Sequence, residues 1–454
     1  MKKIFLLLWL TLSFSNLALA QEQQERLDSL FTTLKNKNAF NGNVLIADKD
    51  KIIFEKSYGL ANIKEDIKLS DKSIFNLASV TKQFTAACIL LLEEENKLSL
   101  TDDVTKYIPE LSFYKGIKIE HLIHHTSGLP DYMKLLDEKA DKNKVVTNDY
   151  VIQLFEKEKP ELLFKPNNQF EYSNTGYLFL ATIIERVSNN SYSHYLKEKI
   201  FSPLNMSNTN VFFLYKDTLN IPDLAIGYVQ ESIGKELICD IPYVKYFDGA
   251  YGQGRIYSTT KDLLKWAESL KNNTLFTKEQ IHLLTDYFKL NNNENTNYGF
   301  GLFLGENKNY GKIINHSGGW GGYTTFLEQH LSSDKIIIIL QNHSLITTKI
   351  PIQQIRKILY NEPLKSDKPI ELNTNDLDKY LGNYMNIDIS MKISITKKGN
   401  ILYSQATDQM EIPMDAYEND VFKFEPADIV LTFNLEEKSF ELSQGGIKFV
   451  FRKE

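Results

Sequence analysis

The chain has 454 residues, of which 42% are hydrophobic and 24% charged, and a formal net charge of −6. That balance excludes disorder over most of the length, and the negative charge leaves no electrostatic footprint for nucleic acid. Two cysteines, Cys88 and Cys239, are too few for a disulfide scaffold or a cysteine-based zinc site.

Residues 1–20 read as a secretory signal peptide. Lys2 and Lys3 open it, an apolar run follows, and Ala18-Leu19-Ala20 supplies a small-x-small cleavage site. The apolar run is shorter than the about 20 residues a spanning helix needs, so no stable membrane anchor is expected. Outside the cytoplasm Cys88 and Cys239 could be oxidised, but a bridge would need them adjacent in space. The apolar helical setting of Cys88 favours a buried thiol.

Asn43–Ala47 and Lys51–Tyr58 predict two strands joined at Asp48-Lys49-Asp50, a β-hairpin. Ser79–Glu95 and Tyr177–Val187 follow helical spacing. Between about residues 100 and 210, helix-like and loop-like segments alternate with few strands. Lys312–Asn315, Tyr323–Glu328 and Lys335–Leu340 then read as three consecutive strands. Ile336–Leu340 lacks alternation, which predicts a central strand buried on both faces. Strands thus sit early and late, with helices between. The economical closure is an α/β (α+β) fold: one antiparallel sheet flanked by helices, with a helical lobe.

Residues 361–376 are polar and contain prolines, and read as a linker. Beyond it, seven short strand candidates follow: Lys392–Thr396, Ile401–Ser404, Glu411–Pro413, Val421–Glu425, Ile429–Asn434, Ser439–Ser443 and Ile447–Arg452. Their spacing predicts a small all-β barrel or sandwich.

Three short patterns could carry chemistry. Ser79-Val80-Thr81-Lys82 sets a hydroxyl and an amine three residues apart, on one helix face. A partly desolvated lysine can lose its proton and activate the serine. Tyr172-Ser173-Asn174 offers a phenol that could act as a base beside a cation, and an amide that could fix a substrate amide. His316-Ser317-Gly318-Gly319 ends a strand, where glycine admits a substrate backbone and an N–H can serve an oxyanion. Each pattern alone is weak. Their order is informative, with 93 residues from Ser79 to Tyr172 and 144 from Tyr172 to His316.

That ordered set resembles the serine β-lactamase and penicillin-binding-protein superfamily, which uses S-x-x-K, a second triplet and K-T-G. The tyrosine is similar to the class C β-lactamase branch, with its D,D-peptidases, D-aminopeptidases and esterases. His124–Pro130, Pro203–Met206, Ser258–Leu263 and Tyr298–Gly301 resemble segments around those motifs. The resemblance covers roughly residues 24–360, and a hydrolase domain is expected over 21–360. Tyr380–Tyr384 resembles the opening of a lipocalin-like β-barrel domain, expected over 377–454.

The resemblance implies an exported serine hydrolase cleaving an amide or ester through an acyl-serine, with no cofactor and no metal. The substrate would be a small molecule or peptide, including D-amino-acid peptides and cell-wall (peptidoglycan) fragments. The alternative is a β-lactamase or penicillin-binding sensor with little turnover. Ser79 would be the nucleophile. Lys82 would lower the pKa of Tyr172 or share its proton, with Tyr172 or Lys82 as the base. Asn174 would touch the substrate amide, and the N–H groups of Ser79 and Gly319 would form the oxyanion hole beside Gly318. His316 stands where the family has lysine. A histidine is mostly neutral at pH 7, so carboxylate recognition should weaken, which favours a peptidase or esterase over a β-lactamase.

Two further features have plainer readings. His121, His124 and His125 have a spacing metals use, but no carboxylate-bearing zinc motif accompanies them. Tyr246, Phe247, Tyr251 and Trp320 are candidates to line a pocket.

Overall fold

In a computed structural model, the structure describes residues 20–139, 144–213, 221–230, 237–239, 241–272, 274–345, 347–363, 369–386, 391–407, 409, 411–424, 429–444 and 447–454. The leader read over 1–20 falls almost wholly outside them, as does part of the linker. The chain divides into two compact units. One is Phe40–Ser344; the other joins the described residues up to Ala39 with Leu345–Glu454.

The first unit is built on a six-stranded sheet. Its strands are β1 (Gly42–Asp48), β2 (Lys51–Tyr58), β3 (Phe303–Asn307), β4 (Gly311–Trp320), β5 (Tyr323–His330) and β6 (Lys335–Gln341). The spatial order is β3-β4-β5-β6-β1-β2, and every pairing is antiparallel. The hairpin turns at Lys49 and Asp50, both with positive φ, as a tight two-residue turn requires. β6 lies between β5 and β1, and Ile336 through Leu340 are at most 2% exposed. The unbroken apolar run is therefore the central strand its pattern predicted. β3 went unread in the sequence. It is an edge strand of five residues, two of them exposed and only Leu304 buried, so its pattern is weak.

The helix Thr260–Ser269 packs on the sheet against β1 and β6. The helical lobe centres on Asn174–Ser188, which packs against Lys82–Glu94 and Ile119–Ile123. Residues Thr175 through Ile184 of that helix are all buried. Such all-round burial marks an interior helix rather than an amphipathic surface one. Cys88 is buried in Lys82–Glu94, and both cysteines are free thiols.

In the second unit a helix over residues 20–36 buries Leu27, Phe31 and Leu34. Gln23 donates to the Ile358 carbonyl at the end of the helix Ile352–Leu359. The rest is a closed eight-stranded antiparallel barrel, beginning at Gly382–Asn386 and ending at Ile447–Lys453. These two strands pair with each other at Tyr384↔Lys453 and close it. The interior is packed with side chains, among them Tyr380, Tyr384, Phe422, Phe433, Phe440 and Phe451. The lipocalin-like barrel is thus a filled one.

Candidate active site

Ser79 sits on a single 3-10 turn, Ala78–Thr81, which runs into the helix Lys82–Glu94. Ala78 has φ +48°, an unusual value for a residue with a side chain. Asn76 supports the turn by accepting from the Ala78 N–H at 2.8 Å. The turn packs on β4 and β5. At Gly318 an added Cβ would lie 2.4 Å from the Leu77 carbonyl and 3.0 Å from the Ser79 nitrogen. Only glycine lets β4 come this close beneath the serine.

Lys82 is fully buried, and its Nζ meets three oxygens. Ser79 Oγ lies at 3.1 Å, Asn174 Oδ1 at 2.9 Å and the Gln253 carbonyl at 3.1 Å. Burial holds its pKa well below the ordinary lysine value, with Asp131 opposing more weakly. In its neutral form, which that shift favours, the amine fits this environment. Its two N–H groups serve the Asn174 and Gln253 oxygens, which can only accept. The lone pair is then left for the hydroxyl of Ser79.

Tyr172 also bonds Ser79, and its ring centre lies 4.8 Å from Lys82 Nζ. Burial raises its pKa, and the bond to Ser79 opposes this only in part. Those two influences, and not Lys82, dominate the shift at Tyr172. Asn174 is the first residue of its helix, which Ser173 caps by accepting from Gly176.

His316 is 1% exposed and lies off the cavity beside Ser79. Its Nε2 pairs with Tyr298 Oη at 2.9 Å and its Nδ1 with the Ser317 carbonyl at 2.6 Å. Burial, then the proximity of Lys82, lower its pKa to about 3, so the ring is neutral. His121 and His124 are likewise neutral, and these two and His125 are engaged with backbone. Burial lowers His121 and His124 to about 4 and His125 well below its ordinary value. His121 Nδ1 accepts from Lys118 N–H, His125 Nδ1 accepts from Ser173 N–H, and His124 Nδ1 bonds the Tyr298 carbonyl.

A cavity open to solvent lies beside Ser79, Asn174 and Gly319. Phe247 and Trp320 line it as expected, while Tyr251 lines a separate cavity and Tyr246 neither. Sequence reasoning missed Tyr132, Gln253 and Arg255 in its wall. Gln253 donates to Tyr132 Oη at 3.0 Å. Arg255, at φ +83°, pairs with buried Asp248 at 3.0 Å and donates to the Phe247 carbonyl at 2.6 Å. Thr85 donates to the Gly252 carbonyl at 2.6 Å. Asn148 brackets Tyr251, accepting from its N–H at 3.0 Å and donating to its carbonyl at 3.2 Å. Segment 247–255 is thereby fixed, and with it the Gln253 carbonyl that faces Lys82. Its sequence signal was Gly252-Gln253-Gly254, glycines flanking a polar residue just before a strand.

The chain has clear relatives among known proteins. A family model described as Beta-lactamase matches residues 27–346. Penicillin-binding protein 4* of Bacillus subtilis (strain 168) is 32% identical over 442 residues, covering 94% of this chain and 98% of that one. Among solved structures, the octameric penicillin-binding protein homologue from Pyrococcus abyssi superposes with a TM-score of 0.67 at 24% identity. It covers 94% of this chain and 99% of its own. D-amino acid amidase from Ochrobactrum anthropi SV3 gives 0.62 at 23% identity, over 76% of this chain and 99% of that one. With the family model spanning most of the chain and a relative matching it nearly end to end, the chain belongs to the Beta-lactamase family of serine hydrolases.

Proposed function

We propose that the chain is an exported serine hydrolase that cleaves an uncharged amide or ester through an acyl-Ser79 intermediate. The observation that carries this is buried Lys82 with Nζ 3.1 Å from Ser79 Oγ and its two remaining neighbours both acceptors. Ser79 Oγ attacks the carbonyl carbon while its proton passes to Lys82, directly or through the Tyr172 hydroxyl. The N–H groups of Ser79 and Gly319 take the negative charge on the carbonyl oxygen. The carbon–nitrogen or carbon–oxygen bond then breaks, and the proton goes to the leaving group. Water attacks the acyl-enzyme by the same proton route in reverse, releasing the acid and restoring Ser79.

The charge pattern supports an amidase, peptidase or esterase over a β-lactam-directed enzyme. His316 is neutral and off the cavity, and Arg255, the cation in the cavity wall, is paired with Asp248. A substrate carboxylate therefore meets no unpaired cation among the lining residues. Export is part of the proposal and rests on residues 1–20. Intact-protein mass spectrometry after treatment with a fluorophosphonate tests the chemistry. The expected adduct sits on Ser79, and Ser79→Ala loses both adduct and turnover. Turnover that survives in Ser79→Ala refutes the mechanism. A lasting penicillin adduct on Ser79 would instead identify a penicillin-binding sensor.

A further inference from the structure

Three aromatic side chains, none with a role in the chemistry above, meet in the wall of the Ser79 cavity. Phe247 stands edge-on to Trp320, with centres 5.8 Å apart at 79°, and edge-on to Tyr132, at 6.1 Å and 80°. The guanidinium of Arg255 lies 6.0 Å from the Trp320 ring. Gly319 lies in the same wall, and an added Cβ there would meet nothing within 4 Å beyond its chain neighbours. The charged group of the same wall, Arg255, is paired with Asp248, and Asn76 and Asn174 are bonded to Ala78 and Lys82, while Trp320 Nε1 and Gln253 Oε1 are buried without a partner.

From this we infer that the acyl side of the substrate carries an uncharged aromatic group, which packs against Phe247 and Trp320 while its carbonyl meets Ser79. The inference rests on the serine-hydrolase reading and names the substrate class of that site. An aromatic group there would find edge and face partners at the spacing such rings prefer. A charged group would lose water without gaining an unpaired counter-ion.

Three p-nitrophenyl esters with one leaving group make the test: acetate, phenylacetate and 4-carboxyphenylacetate. Their kcat/KM values report the acyl side alone. Phenylacetate is expected to exceed acetate by at least about tenfold, the effect of burying most of one ring. The carboxylated ester is expected to fall about tenfold or more below phenylacetate. Trp320→Ala should lower the phenylacetate-to-acetate ratio, and Trp320→Phe should preserve most of it. Equal rates on acetate and phenylacetate, or a ratio unmoved by Trp320→Ala, overturn the inference and leave the hydrolase reading standing. If no ester is turned over and Ser79 takes no fluorophosphonate, the hydrolase reading itself fails and the inference with it.

Discussion

Replacing Asn174 with aspartate separates the two candidate bases. Asn174 Oδ1 lies 2.9 Å from Lys82 Nζ, so Asn174→Asp would put a carboxylate in direct contact with the buried amine. At an effective dielectric of about 20, Coulomb's law gives roughly 6 kcal/mol of attraction at that distance. The new carboxylate is itself partly desolvated, so the net effect should fall in the common range of about 1–3 pK units. The sign is upward, because the ammonium form of Lys82 gains the partner. If the neutral amine activates Ser79, the inflection in the rate of fluorophosphonate labelling moves to higher pH by that amount. Labelling at pH 7 then drops by at most about 10- to 1000-fold, by less the further the starting pKa lies below 7, and recovers as pH rises. The fold should tolerate the change, since Asn174 begins a helix, where a negative charge is favourable. A stopped-flow or quenched pH profile of both proteins decides it. An unmoved inflection refutes Lys82 as the titrating base and returns the role to Tyr172.

Three more perturbations have defined outcomes. His121, His124 and His343 are held neutral near pKa 4 and His316 near 3, each chiefly by burial. The unfolded chain takes up these protons first, so stability is full above pH 6.5 and lost as pH falls toward 4. A melting temperature flat over that window would refute their burial as neutral rings. Arg255→Met leaves buried Asp248 without its cation and should cost about 3–5 kcal/mol in denaturant unfolding, against under 1 if the pair contributes nothing. Gly301 has φ +72°, and an added Cβ would lie 2.5 Å from the Gln83 nitrogen at the start of the helix bearing Lys82. Gly301→Ala should therefore lower stability by more than about 1 kcal/mol and slow Ser79 labelling. Unchanged labelling would show that the helix start can yield.

Much of the scaffold is readable because its signals are periodic. The β1–β2 hairpin, the β6 run and the helix around Tyr177 each impose one repeat over many residues, and burial follows the repeat. β3 was hidden by its length and exposure, and Gly382–Asn386 by its polar residues. Within the site, Ser79, Lys82, Tyr172 and Asn174 were found through short motifs, and the structure gathers them around one amine. Gln253, Tyr132 and Arg255 were not found. Their importance comes from loop geometry, which leaves no period, and from partners far away in sequence, such as Lys82 for the Gln253 carbonyl. Burial also changed what sequence implied of charge. It holds the pKa of Lys82 down and that of Tyr172 up, neither of which residue identity alone can set.

The order of strands in the central sheet has a consequence for how the molecule is made. β1 is synthesised well before its partner β6, which is 287 residues away at the Asp48–Lys335 end. During synthesis the hairpin must wait with one apolar edge unpaired, while nearly the whole helical lobe emerges behind it. Assembly is therefore slow and late, since long-range pairing sets the folding rate. Any chain that ends before Gln341 keeps that edge open and is prone to stick to other chains. The central sheet of such a chain stays unformed until β6 has been made.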